Sequence, residues 1–172
     1  MAGTPNRSAF VITASDGAVA GVRDDTSGAQ IQARLETLGF TVDRGLVPDD
    51  RRAIEIAIVE GAGAHDLVVT TGGTGLTPRD VTPQATQAAI DYEIPGLAEA
   101  MRAAGRASTP LADLSRGVVG VRGRTLVVNL PGSPKGALES LDAIAPVLDH
   151  ALDTLAGPYD HAITPAGTDE GG

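Results

Sequence analysis

Two aspartates, Asp49 and Asp80, have the residue type and the placement to do chemistry in this chain. Each follows an expected strand end and a turn containing proline: Val47-Pro48-Asp49 in one case, Thr77-Pro78-Arg79-Asp80 in the other. Together at one sheet edge they could hold Mg2+, which binds through a few carboxylates plus substrate phosphates. Taken singly, each is better explained as a helix-start carboxylate favoured by the macrodipole; their joint placement narrows that margin. Gly72-Gly73-Thr74-Gly75 could cradle phosphate through backbone N–H groups, or could be only a tight strand exit. Two familiar phosphate fingerprints fail here. No lysine follows as in a Walker A loop, and Pro78 stands where the dinucleotide fingerprint needs a third glycine. A second polar loop, Asn129-Leu130-Pro131-Gly132-Ser133-Pro134-Lys135, opens a helix. Arg79, Arg116 and Lys135 are candidate anion ligands. Lys135 is the single lysine, at a helix N-terminus where the dipole disfavours a cation unless an anion is near. Ser15, Thr74 and Ser115 could donate hydroxyl hydrogen bonds, or could satisfy local backbone. The absence of cysteine excludes thiolate catalysis, disulfides and zinc–thiolate sites. His65, His150 and His161 lie far apart without ligand spacing and read as structural or surface residues.

The elements that must position these residues follow from hydrophobic spacing. Strands are expected over residues 8–14, 40–47, 67–69, 114–120 and 125–130, with residues 17–25 as loop. Helices are expected from Asp25 or Thr26 to Leu38, over 51–60, over 83–92 with Thr82 as N-cap, and over 97–107. The last helix shows the clearest period: Leu138, Leu141, Ala145, Leu148, Leu152 and Leu155, with Pro146 inside it as an expected kink or break. Arg122-Gly123 predicts a hairpin. Strands alternating with helices imply an α/β fold: a three-layer α/β/α sandwich, with a mainly parallel sheet and one antiparallel hairpin strand. In such sheets ligands bind beyond the strands' carboxyl ends. Four polar loops meet that description: Ser15-Asp16, Pro48-Asp49-Asp50, Gly72 to Asp80, and Asn129 to Lys135.

Composition limits the partners. The 172 residues suit one domain, expected to be ordered over about 8–158 with a flexible, glycine-rich C-terminal tail. A net charge of −9 and scattered arginines exclude a basic nucleic-acid face. Any phosphate must therefore be held locally, by backbone N–H groups, a few cations or a metal ion. No run of about 18 apolar residues could cross a membrane. The N-terminus lacks the apolar stretch of a signal peptide, so a cytoplasmic location is expected.

The stretch from Thr70 to Thr86 closely resembles the signature of molybdenum cofactor biosynthesis domains, the MogA/MoaB family. Further pieces follow in family order: Thr13-Ala14-Ser15-Asp16, Asp25-Thr26-Ser27-Gly28, Val47-Pro48-Asp49, Pro95-Gly96, Met101-Arg102, Thr109-Pro110, Leu114-Ser115-Arg116 and Asn129-Leu130-Pro131-Gly132. The resemblance spans roughly residues 10–157, and the Asn129 loop with the Arg122-Gly123 hairpin resembles the MogA and gephyrin G branch. Two departures are Gln84, where many relatives are acidic, and a minimal loop before Asp25. The resemblance implies molybdopterin adenylyltransferase activity, with ATP as co-substrate and Mg2+ as cofactor. It implies Asp49 and Asp80 as catalytic metal ligands. It implies a nucleotide held by Gly72, Gly73, Thr74 and Gly75 and by Asn129, Pro131 and Gly132. Ser15, Asp16, Ser115, Arg116 and Lys135 would line the pterin and its phosphate. A homotrimer, and hand-off of product to a molybdate-inserting protein, are implied in the same way. The alternative is a non-catalytic MoaB-like pterin carrier or scaffold.

Overall fold

Short aliphatic runs bounded by glycine or polar turns become strands, because each buries β-branched side chains on a pleated surface. In the computed structural model, which describes residues 6–157, six of them form one sheet. They are β1 (Arg7–Ala14), β2 (Phe40–Val47), β3 (Leu67–Thr71), β4 (Tyr92–Glu93), β5 (Val119–Arg122) and β6 (Thr125–Leu130). The sheet order is β2-β1-β3-β6-β5-β4. β2, β1, β3 and β6 run parallel, and β5 is antiparallel to both its neighbours, as the hairpin predicts.

The helices are α1 (Asp16–Val19), α2 (Thr26–Thr37), α3 (Arg51–Ala62), α4 (Thr82–Ala89), α5 (Pro95–Arg106) and α6 (Pro134–Ala156). A 3-10 turn covers Pro110–Leu114. Alternate residues of each strand point to opposite faces, so the sheet supports two cores. Val11, Val69 and Val128 face Ile31 and Leu35 of α2, Met101 of α5, and Leu141 and Ile144 of α6. Ile12, Val68 and Val127 face Ile54 and Ile58 of α3 and Ala85 and Ala89 of α4. This is the three-layer sandwich. Every residue of β3 and β6 is buried. Each fully buried aliphatic side chain contributes about 1.5–3 kcal/mol relative to exposure, which anchors the strands that deliver the two glycine-containing loops.

Several expected bounds change. Residues 17–25 are not all loop: Ser15 accepts a bond from Ala18 N (3.2 Å) and nucleates the one-turn α1. The helix expected over 83–92 ends at Ala89. Asp91 and Ile94 then donate backbone bonds to Val121 and Val119 (both 2.7 Å), making Tyr92–Glu93 an edge strand. Thr82 is the first helical residue rather than the cap; Val81 occupies the cap position without a side-chain bond. The strand expected from Leu114 begins only at Val119, since Leu114 closes the 3-10 turn. Pro146 does not split α6, which runs unbroken for 23 residues; Pro146 is exposed. Its buried face uses Ala137 and Ile144, while Leu138 and Ala145 are only half-buried. His65 is structural: its ring stacks on Phe10 and reaches the Gly61 carbonyl and Asp43. His161 and the expected flexible tail lie outside the described residues.

Candidate active site

The carboxyl ends of β1, β2, β3 and β6 lie along one edge of the sheet, and the four polar loops leave from there. After β3 the chain must turn across its neighbours at once. Gly72 and Gly73 have φ of 96° and 68°, the left-handed region that side chains disfavour. A Cβ on Gly72 would stand 2.5 Å from the Ala14 carbonyl oxygen at the end of β1. Gly72 N donates to Leu130 O (3.3 Å), and Thr82 Oγ1 donates to Gly72 O (2.9 Å). The turn is thus pinned between β1, β6 and the start of α4, and the Gly72 N–H is already engaged.

The rest of this loop is folded around Asp80. Asp80 Oδ2 accepts from Thr77 N (2.8 Å) and Thr77 Oγ1 (2.7 Å). A Cβ on Gly75 would lie 2.9 Å from the same oxygen, so close approach requires glycine there. Burial pushes the Asp80 pKa up. Hydrogen bonds from the Thr77 hydroxyl, the Thr77 N–H and the Gly75 N–H outweigh it, with help from the Arg116 charge. The carboxyl is held below the ordinary value and is ionised at neutral pH.

Asp49 has a different support. Asp16 N donates to Asp49 Oδ2, and Asp49 N donates to Asp16 Oδ1, both at 3.0 Å. Asp16 Oδ2 also accepts from the Arg79 guanidinium, which ties the Asp80 loop to the β1 end. The Asp49 N–H bond, then Arg79, lower the Asp16 pKa. The capping of α3 is done by Asp50, which accepts from Ala53 N (2.8 Å), so Asp49 is not needed as its cap. Asp80 likewise bonds its own loop rather than the α4 N-terminus.

Two cavities flank the Gly72–Gly75 turn. A polar one of about 590 Å³ is lined by Ser15, Asp49, Gly72, Gly73, Asp80 and Gly132 among others. An apolar one of about 270 Å³ is lined by Thr74, Gly75, Ser115, Asn129 and Pro131, with Met101 and Leu114. Ser133 borders both. Asp16, Arg116 and Lys135 line neither. Asn129 is buried with its side chain fully committed. Its Oδ1 accepts from Val118 N (3.1 Å), and its Nδ2 donates to the hydroxyls of Thr70 (2.9 Å) and Thr86 (2.8 Å). Lys135 is 77% exposed, with Nζ 3.7 Å from Glu139 Oε1.

The polar cavity also has a wall that sequence reasoning assigned no ligand role. Asp25 was legible as a helix cap and as the start of the Asp25–Gly28 family piece, but not as a cavity wall. It accepts from Gly28 N and Thr13 Oγ1 (both 2.9 Å) and pairs with Arg44 (2.5 Å). Arg23 is exposed on that cavity and makes no ion pair among the described residues. No local pattern announces either one, because the cavity arises where α1, α2 and the β3 loop meet. For a divalent cation the donor set is restricted. Among the described residues no group of three His, Cys, Asp or Glu is placed to hold a metal. Asp49 and Asp80 supply two carboxylates to one cavity, which leaves further positions for phosphate oxygens and water, the usual pattern for Mg2+.

Comparison with known proteins gives a consistent result. The family model described as a probable molybdopterin binding domain matches residues 10–150. A molybdopterin adenylyltransferase of Helicobacter pylori is 39% identical over 156 residues, covering 87% of this chain and 88% of that protein. The crystal structure of the molybdopterin biosynthesis enzyme MoaB from Thermus thermophilus superposes with a TM-score of 0.83 at 50% identity, covering 88% of this chain and 98% of that one. The molybdopterin biosynthesis Mog protein of Mycobacterium ulcerans gives a TM-score of 0.82 at 46% identity, with 87% and 99% covered. The family match over most of the chain and these identities agree: the chain belongs to the molybdopterin-binding domain family of molybdenum cofactor biosynthesis.

Proposed function

We infer that this chain is a molybdopterin adenylyltransferase, transferring AMP from MgATP to the molybdopterin phosphate with release of pyrophosphate. The observation that carries the reading is the placement of Asp49 and Asp80 on one polar cavity, separated by a glycine turn from an apolar one. The identity to adenylyltransferases over most of the chain supports it. A terminal phosphate oxygen of the pterin attacks the α-phosphorus of ATP. The bond from that phosphorus to the bridging oxygen breaks, and the electron pair leaves with pyrophosphate. No protein nucleophile takes part, which suits a chain without cysteine. The protein contributes position and charge. Asp49 and Asp80 would hold Mg2+, which supplies neutralisation of phosphate charge. Asp16 and Thr77 fix those two carboxylates. Arg23 faces the same phosphates. The apolar cavity, with Ser115 and the Thr74–Gly75 backbone at its edge, takes one flat heterocycle. Of the residues implied to line the pterin, Ser15 borders the polar cavity and Ser115 the apolar one, while Asp16, Arg116 and Lys135 border neither. A homotrimer, a cytoplasmic location and hand-off of the product to a molybdate-inserting protein go with this reading.

Incubation with molybdopterin, ATP and Mg2+ should release pyrophosphate and form the adenylylated pterin. Bound pterin without product, and without Mg2+-dependent ATP affinity by calorimetry, would sink the enzyme reading in favour of a carrier.

A further inference from the structure

Arg116 is half-buried and makes no direct ion pair with a carboxylate among the described residues, although its charge acts on Asp80. Its bonds go to main chain instead. Nε donates to Gly75 O (2.8 Å), Nη2 donates to Asp80 O (2.6 Å), and its own N–H donates to Thr74 O (3.0 Å). Gly75 and Asp80 are the two ends of the loop that presents the Asp80 carboxylate. The guanidinium fork closes that loop from outside, while Thr77 and Gly75 close it from inside. Arg116 is itself held from the far side. Arg102 Nη1 donates to Ser115 O and Gly117 O, both at 3.4 Å, the carbonyls on either side of Arg116. Arg102, Ser115 and Gly117 line the apolar cavity, as do Thr74 and Gly75; Asp80 faces the polar one. Two arginines in series therefore run from the wall of one cavity to the backbone of the residue whose carboxylate faces the other.

We propose that Arg116 is a positioning residue: it clamps the Gly75–Asp80 loop so that the Asp80 carboxylate is preset for a divalent cation. This rests on the adenylyl-transfer reading and changes the role of Arg116 from ligand contact to loop clamp. A planar fork bonding two carbonyls at once is a geometry that lysine cannot reproduce, although lysine keeps the charge.

The test compares the full chain with Arg116→Lys and Arg116→Gln. Amide hydrogen exchange at Gly75 and Thr77 should accelerate at least about tenfold in both variants. Amides of β3 and β6 should stay within about twofold, which separates loop release from misfolding. Mn2+ affinity in the presence of ATP, followed by the free Mn2+ resonance signal, should fall at least about fivefold in Arg116→Lys, while metal-free pterin binding is unchanged. In turnover, kcat should fall with KM for the pterin unaltered, and excess Mg2+ should recover part of the loss. Unaltered exchange at Gly75 and Thr77 would overturn the clamp. Loss of metal-free pterin binding in step with Mn2+ would return Arg116 to ligand contact. If the wild-type protein neither turns over nor binds MnATP, the adenylyl-transfer reading falls instead, and the exchange comparison alone decides what Arg116 does.

Discussion

Asp80 is held without a ligand: the Thr77 N–H and hydroxyl donate to its carboxylate, and a guanidinium holds the carbonyl behind it. Removing the charge should separate binding from chemistry. Asp80→Asn is expected to lower turnover by about 10²-fold or more while pterin binding survives, because the lost group acts on charge that develops in the transition state. The same residue makes a pH prediction. Its folded pKa is depressed, so the stability it contributes is fully present above the unfolded value of about 3.9 and is lost as pH falls through the lower folded value. Denaturant unfolding should therefore find Asp80→Asn less stable than wild type at pH 7, with the difference closing on acidification below that window. Equal differences at both pH values would contradict the loop's hold on the carboxylate. At this scale the sequence points to the carboxylates but not to the bonds that hold them. Asp49 and Asp80 were legible as a pair from their turns. That Arg116 and Asn129 bond the protein itself was not, since such bonds depend on residues 41 and 59 positions away.

Neighbouring carboxylates divide labour at the level of elements. Asp50 caps α3, and Asp49, whose Oδ2 accepts from Asp16 N, is left to face the polar cavity. Asp50→Ala should lower stability by about 0.5–2 kcal/mol with near-normal kcat. Asp49→Ala should do the reverse, losing activity with a small change in melting temperature. Identical behaviour of the two would remove the distinction drawn between them. The long elements were readable because their signals are local. β2 and β6 fall on their expected bounds, and α2 starts at its Asp25 cap and stops before Gly39. The misread ones are short or conditional. Tyr92–Glu93 becomes a strand only because β5 offers it an edge, and α1 exists only because Ser15 turns back on Ala18. Pro146 was read as a break, but it sits on the exposed side of α6, where the carbonyl it leaves without an N–H partner can face water.

For the whole molecule, the sign of the charge sets a condition on substrate. A chain of net charge −9 presents four carboxylates and one arginine in the polar cavity, and Asp25 alone among those carboxylates is paired with an arginine. A triphosphate entering without a cation is repelled. Calorimetry should find metal-free ATP binding weak and strengthened by added NaCl, because salt screens like charges as well as opposite ones. A nucleotide site dominated by lysine and arginine would respond in the other direction, and weakening by salt here would place the cavity's effective charge on the positive side. The layers and strand polarity could be anticipated from alternation of strand and helix. The partition into a polar and an apolar compartment could not, because it is made by the glycine turn after β3 lying across the ends of two other strands.

The reversed strand has a mechanical implication. Because β5 runs against β6, Ser115–Gly117 and Asn129–Pro131 are the two arms of a single hairpin, meeting the apolar cavity at its open end. Its closed end, at the exposed Gly123, lies at the opposite end of the two strands. The arms resemble tweezers whose tips border the apolar cavity and whose handle is in solvent. Each arm is also laced to a different neighbour, β6 to β3 and β5 to β4. Foreign sequence spliced into the handle, or new chain ends opened there, would leave the tips registered, which makes that turn the natural place to attach a reporter to this fold.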